Sequence, residues 1–466
     1  MNSVLDIHII RKDKKYIAFH PDSFSLFYVN DEIGRVLRYY ELKTKDINII
    51  AETFKIQVKY IENILENISE EVTPNYAKNI ELPNEGPISL NLLISQDCNL
   101  RCRYCYADHG TYGCDKKLMD FDVAKNSIDK LLNKNHNNYI VFFGGEPFLN
   151  FALMKKIEGY LTKKGINTKY TSVTNGTIMN TEIKNFIDKN FFKLCISLDG
   201  TKEINDVQRY GDIKSVHDRV VATINELMPR NYPLSIKAIA TKNSVNMLAD
   251  VDEYISSLYI DSMAIAPVQS VPFNNELSLS DEDYKIFIRE LAKIHIKKIR
   301  EMAKGNRVVF LAHILEILRL IATKTRKICM CSAGRESVTI TADGDVYPCQ
   351  LYIGMEMFNM GNVYDDDFPG DKFKKVREML YNINVYKSPA CSTCWARFLC
   401  GGDCHYLSYI TNKNLSIPRN QRCLEIKSMI DALLPEIAEI FQDEIKTKNL
   451  LKCLSSRSRT MSHDIC

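Results

Sequence analysis

A chain of 466 residues exceeds one ordinary hydrophobic core, so about two to four domains are expected. With 61 basic against 58 acidic residues and a net charge of +3, it lacks the basic excess of a nucleic-acid binder. No run approaches the roughly 18 apolar residues of a membrane helix, and the opening MNSVLDIHIIRKDKKY carries charges where a signal peptide would be apolar, so a cytoplasmic protein with no membrane or nucleic-acid partner is expected.

Residues 4–30 alternate apolar and polar positions around short turns, which predicts two or three short strands. Three helical patterns follow, EIGRVLRYYEL, TKDINIIAETF and VKYIENILENI, with Asn30-Asp31 and Thr44 as start signals for the first two. Together they make a winged-helix-like α+β unit over 1–84, closed by the turn-rich stretch ELPNEGP at 81–87. From residue 88 the rhythm changes. Strand-like runs at 88–95, 138–143, 168–174, 192–198, 234–241 and 262–268 alternate with amphipathic helical stretches. That alternation implies βαβ units around a parallel sheet. Six units are too few for a closed eight-stranded barrel, so the fold class is α/β with a partial (β/α)6 TIM-like barrel over 85–325, whose ligands bind at the carboxyl ends of the strands. Residues 280–325 supply two longer helices. The segment 326–430 is Cys-rich and weakly periodic, as a metal-stapled domain would be. A helix over 431–449 and a polar tail complete a C-terminal segment 431–466.

Fifteen cysteines need a reason in a compartment that keeps thiols reduced. None precedes Cys98; three fall within 98–105 and four within 391–404. The first group, SQDCNLRCRYCYADHG, has Cys98, Cys102 and Cys105 on one loop directly after a strand. Three such thiolates can hold three irons of a 4Fe–4S cube and leave the fourth iron open to a ligand; a zinc or redox knot is the plainer alternative. Polar turns recur at the next strand ends: Gly144-Gly145-Glu146-Pro147, Thr174-Asn175-Gly176, and Ser197-Leu198-Asp199-Gly200 with Arg209 beyond it. Each is ordinary turn chemistry alone, but in register with the cysteine loop they converge on one pocket.

Residues 88–268 thereby resemble the radical S-adenosylmethionine (SAM) superfamily. The resemblance implies that Cys98, Cys102 and Cys105 ligate a 4Fe–4S cluster that cleaves S-adenosylmethionine, with Tyr104 near the adenine. It implies that Gly144, Gly145 and Glu146 take the cofactor's amino group, that Ser197 and Arg209 take its carboxylate, and that Asn175 lies near the ribose or sulfonium. Downstream, Cys331, Cys349, Cys391, Cys394, Cys400, Cys404 and Cys423 could supply a zinc ribbon, but their order and spacing resemble the SPASM domain of peptide-modifying radical enzymes. By that resemblance Cys391, Cys394, Cys400 and Cys423 hold one auxiliary 4Fe–4S cluster and Cys331, Cys349 and Cys404 another, three clusters in all. Cys329 either completes the last set or leaves one iron open to a substrate thiolate; the open form is the expectation here. Sulfatase-maturing relatives carry an aspartate after the cysteine equivalent to Cys349, where this chain has Gln350. Cys195 is expected as a small buried residue, and Cys114, Cys453 and Cys466 as spare thiols; His405 is expected to pack rather than ligate.

The 1–84 unit resembles the recognition domain of peptide maturases, in which a leader peptide adds a strand to a sheet edge. That edge would lie within 16–30 and the groove wall within 57–69. A DNA-binding role fits poorly, because VKYIENILENI carries two Glu and a single Lys. The whole layout resembles radical SAM/SPASM maturases that form thioethers in ribosomally made Cys-rich precursors, the ranthipeptide (SCIFF) type, with a flavodoxin- or ferredoxin-type electron donor implied. Rival expectations are carbon–carbon or carbon–oxygen crosslinking, sulfatase-maturase-like oxidation of Cys or Ser, a redox-sensing regulator, and modification of a small molecule.

Overall fold

A computed structural model describes residues 6–70, 86–190, 192–269 and 276–455. The N-terminal alternation builds an antiparallel sheet of β1 (His8–Lys12), β2 (Lys15–His20) and β3 (Ser25–Val29), in that order. Helices α1 (Asp31–Leu42), α2 (Ile47–Phe54) and α3 (Val58–Glu70) follow. Asn30 caps α1 by accepting from the Ile33 amide at 2.8 Å. The cap of α2 is Asp46, not Thr44; Thr44 instead accepts from the Asp46 amide, setting up the turn before the helix. Ile9, Tyr16, Ala18, Val36, Leu37, Ile50 and Ile61 form this unit's own core. Gly34 lets α1 lie against β2, since a Cβ there would stand 2.2 Å from the Tyr16 ring.

The second unit follows the expected alternation. Its elements are β4 (Ser89–Gln96), the short β5 (Lys117–Leu118), α4 (Phe121–Leu131), β6 (Asn138–Gly144), α5 (Phe151–Lys164), β7 (Thr168–Thr174) and α6 (Thr181–Asn190). They continue as β8 (Lys193–Ser197), α7 (Lys202–Gln208), α8 (Val216–Glu226), β9 (Leu234–Ala240), α9 (Leu248–Ser257) and β10 (Ser262–Pro267). β4, β6, β7, β8, β9 and β10 pair in parallel in that spatial order. This is the open barrel sheet that the sequence predicts. α10 (Asp281–Ala303) leads to β11 (Phe310–Leu311), which adds in parallel to β10, and then to α11 (Ala312–Thr323).

The Cys-rich segment departs from expectation. Its strand β12 (Ser337–Ile340) pairs in parallel with β4, and β13 (Val346–Tyr347) pairs antiparallel with β12, so the segment extends the barrel sheet. Val338, Ile340 and Val346 are fully buried in the same apolar core as Leu90 and Leu92. The segment is therefore anchored on shared core and does not depend on metal staples alone. α12 (Asp371–Tyr381), α13 (Pro389–Ser392), α14 (Arg397–Cys400) and α15 (His405–Asn412) carry its loops. The final long helix, α16, spans Asn420–Phe441 rather than starting at 431, and a separate helix α17 (Glu444–Ser455) follows. Burial of Ile426, Met429, Ile430 and Leu433 from its early turns explains the early start. The rest of the expected polar tail lies outside the described residues.

α16 packs on both α10 and the N-terminal sheet. Polar contacts reinforce that junction. Glu436 binds Arg300 at 2.8 Å and Lys12 at 2.5 Å. His8 reaches Asp431 at 2.6 Å and Glu41 at 2.5 Å. The His8 ring also stacks on Trp395 with centroids 3.7 Å apart and planes 2° from parallel. Arg397 pairs with Asp6 and with Asp22. No helix among the described residues is long and apolar enough to cross a membrane.

Candidate active site

β4 ends at Gln96, and the loop after it is pinned by backbone bonds rather than by helix or sheet. Arg101 N donates to Tyr210 O at 2.7 Å and Arg103 N to Gln208 O at 2.9 Å. Amides also point at the sulfurs: Leu100 N lies 3.4 Å from Cys98 Sγ and His109 N 3.2 Å from Cys105 Sγ. Cys98, Cys102 and Cys105 all line one cavity of about 260 Å³ at the carboxyl ends of the barrel strands. Gly144, Gly145, Asn175, Ser197 and Arg209 line the same cavity, so the turns expected to converge do so.

Burial pushes the Cys98 thiol up to about 11 and Cys102 up to about 12. Buried sulfurs of this kind remain protonated unless a cation stabilises the thiolates, as iron does. The three thiols line one cavity together, which fits a multi-iron cluster with an open face and a small-molecule ligand.

Several of the polar residues are held by partners within the fold. Glu146 is fully buried behind the cavity wall and does not line it. Its Oε1 accepts from Thr174 Oγ1 at 2.8 Å and Phe148 N at 3.1 Å, and its Oε2 from Asn175 N at 2.7 Å. It clasps the turn after β6 to the end of β7, while Gly144 and Gly145 line the cavity itself. These glycines permit close backbone contact. A Cβ on Gly144 would stand 2.1 Å from Ser95 O and one on Gly145 2.2 Å from Asp97 O. Burial raises Glu146 to about 7 despite the three donors. Asn175 spans to the cysteine loop, with Nδ2 2.8 Å from Asn99 Oδ1 and 3.7 Å from Cys98 Sγ.

Arg209 is likewise committed. Its Nε donates to Asp199 Oδ2 at 3.0 Å and its Nη2 lies 3.4 Å from Asp199 Oδ1, while its guanidinium stands 5.2 Å from the Tyr104 ring centroid. Burial disfavours this cation, but Asp199 outweighs the effect and holds it charged. Tyr104 donates to Asp199 Oδ2 at 2.6 Å, and Ile239 N to Asp199 Oδ1 at 3.0 Å. Asp199, part of the Ser197–Gly200 turn, is a buried hub at 1% exposure, a role its place in the sequence does not show.

The second cysteine field forms two groups. Cys391, Cys394, Cys400 and Cys423 surround one closed pocket of about 30 Å³. Cys331, Cys349 and Cys404 sit within electrostatic reach of one another; burial first, and then neighbouring thiolate charge, pushes Cys331 up to about 12 and raises Cys349 well above the ordinary thiol range. Asp403 braces the second group, accepting from Cys404 N at 2.7 Å and from Arg419 Nε and Nη2, each at 2.8 Å. Cys329 lies beside the second group, with Sγ 3.6 Å from His405 Nε2 and 3.4 Å from Cys331 O. Burial raises its thiol, but the His405 hydrogen bond and neighbouring positive charge bring it down to about 7. His405 thus touches a cysteine as well as packing. Gln350 and Leu351, directly after Cys349, line the large cavity, so this thiol group stands behind its wall.

Residues 92–247 match the Radical SAM superfamily, and residues 329–395 match SPASM, an iron–sulfur cluster-binding domain. A cysteine-type anaerobic sulfatase-maturating enzyme of Clostridium novyi is 24% identical over 380 residues, covering 76% of this chain and 97% of that one. The solved structure of native anSMEcpe with bound AdoMet superposes with a TM-score of 0.64 at 21% identity, covering 76% of this chain and 99% of that chain. Streptococcus suis SuiB bound to its precursor peptide SuiA superposes with a TM-score of 0.52 at 16% identity, covering 90% of this chain and 98% of that one.

Proposed function

We propose that this chain, a radical SAM enzyme with a SPASM domain that uses S-adenosylmethionine and iron–sulfur clusters, modifies a ribosomally made peptide by joining a cysteine sulfur to carbon. Modification of a peptide is the broader claim, in keeping with the maturases it is similar to; the thioether is the finer one. When bound, S-adenosylmethionine and its cluster supply hydrogen-atom abstraction from carbon. Cys98, Cys102 and Cys105 would hold that cluster, and the surrounding strand ends would orient the cofactor and exclude water. Cys391, Cys394, Cys400 and Cys423 would hold one auxiliary cluster. Cys331, Cys349 and Cys404 would hold the other.

The observation that carries the thioether reading is Gln350. It lines the cavity directly after Cys349, and among the described residues no Asp or Glu lines that cavity. Oxidation of a Cys or Ser side chain to a carbonyl needs a base to take the hydroxyl or thiol proton. An amide cannot serve. Sulfur–carbon bonding needs instead a thiolate near the abstraction site, which the adjoining auxiliary thiol group favours. The sulfatase-maturase reading keeps the support of the relative from Clostridium novyi.

The leader would bind at β3, an edge strand of the N-terminal sheet. Glu41 already accepts from the Ile9 amide on the opposite edge at 2.9 Å, which leaves β3 as the better site for strand addition. A flavodoxin- or ferredoxin-type donor in the cytoplasm would supply electrons. The test is mass spectrometry of a Cys-rich precursor after reaction with reconstituted enzyme. Loss of two hydrogens per linkage, with sulfur retained and thiol titre reduced, is expected. Loss of sulfur, or no two-hydrogen loss, rejects thioether formation. Proline at Leu26 and, separately, at Phe27 should weaken precursor binding roughly tenfold in one of the two variants, since alternate amides face outward; cofactor cleavage without peptide should not change.

A further inference from the structure

Among the described residues two cations, Arg209 and Lys237, and no carboxylate line the cavity at the strand ends. They differ in how their charge is balanced. Arg209 is held on two edges by buried Asp199. Lys237 lies in β9, in register with Ser197 of β8. Its strand neighbours Ile236 and Ala238 turn into the barrel core at 0% and 1% exposure, which leaves Lys237 on the cavity face. Among the described residues no carboxylate pairs with it. Burial lowers its pKa and the Arg209 charge lowers it further, with no acid acting in the opposite sense. Much of the nearby wall is apolar, including Val141, Val173 and Ile239.

A partly buried ammonium without a counterion is costly to the fold. Such a site gains most from an anion that arrives with a ligand, and a carboxylate is the anion its three donors suit. We propose that Lys237, rather than Arg209, is the residue that binds a carboxylate in this cavity. Two sources share that chemistry: the aminoacyl carboxylate of S-adenosylmethionine and an acidic side chain of a peptide substrate. Lys237 shares the cavity with Cys98, Cys102 and Cys105, which favours the cofactor. The peptide source rests on the function proposed above, whereas the cofactor source does not.

Equilibrium binding to cluster-reconstituted enzyme tests the proposal without turnover. In Lys237→Met, affinity for S-adenosylmethionine should fall roughly ten- to hundredfold. Affinity for decarboxylated S-adenosylmethionine should stay that of wild type, and Lys237→Arg should recover part of the loss. If the carboxylate comes from the peptide, cofactor affinity will be unchanged, but Lys237→Met will bind an Asp-containing Cys-rich peptide no better than its Asn counterpart, a preference the wild type will show. Equal loss for the cofactor and its decarboxylated form overturns the proposal, because the effect is then structural. Unchanged binding of both cofactor forms together with unchanged peptide preference overturns it as well. Should Lys237→Met fail to load its clusters, Lys237→Gln and Lys237→Arg carry the same comparison.

Discussion

Cys98, Cys102 and Cys105 face a cavity of about 260 Å³, whereas Cys391, Cys394, Cys400 and Cys423 enclose about 30 Å³. Both groups are proposed to present sulfur to iron. The first has space for a small molecule beside its thiols, and the second has far less. The contrast follows from chain geometry. The first group sits on one loop at the mouth of an open barrel, with glycine turns drawn up against it. The second draws its fourth member from α16 and closes on itself. Closed ligand sets hold structure or store electrons, and open ones do chemistry.

The largest effect should come from breaking the open set. Cys102→Ala should take cofactor cleavage, measured as 5′-deoxyadenosine, below detection while the unfolding temperature changes little. Cys400→Ala should do the reverse: iron content and unfolding temperature fall, yet cleavage without peptide continues. If both variants lose cleavage equally, the distinction between the groups fails. Next is the support beneath the open cavity. Asp199→Asn leaves Arg209 buried without its counter-ion, which costs about 3–5 kcal/mol in denaturant unfolding; Tyr104 also loses its charged acceptor.

A smaller effect sharpens the picture of the cavity wall. Burial lifts Glu146 from an ordinary 4.5 to about 7. The folded carboxyl therefore holds its proton more tightly than the unfolded one. Its stabilising contribution is complete below about pH 4.5 and is lost as pH rises to about 7. The stability of Glu146→Gln relative to wild type, measured in cofactor-free protein, should climb across that window by on the order of 3 kcal/mol. A flat difference would mean that the three donors keep Glu146 ionised in the fold.

The barrel strands were legible because their apolar runs and helical spacers repeat at short range, and the four-thiol pocket because its spacing survives folding almost unchanged. β12 was not legible. Nothing local to Ser337–Ile340 says that it will pair with β4, some 250 residues earlier in the chain. The start of α16 was hidden by its position inside the cysteine pattern. At the site, sequence order brought the turns to one cavity, but it did not show which partners hold their side chains within the fold. Glu146 and Arg209 look available in sequence because their partners, Thr174, Asn175 and Asp199, are also motif residues. Lys237 did leave a signal, as the one charge within the apolar run LSIKAIAT.

Trp395 is the only tryptophan in the chain, and it sits between Cys394 and Cys400 with its ring against His8 of the N-terminal sheet. The molecule thus carries a built-in fluorophore at one address. Its emission should be quenched when iron fills the neighbouring pocket and should shift if the N-terminal unit lifts away. A fluorimeter can therefore follow cluster loading and precursor capture in the unlabelled protein, in real time and on a single optical channel.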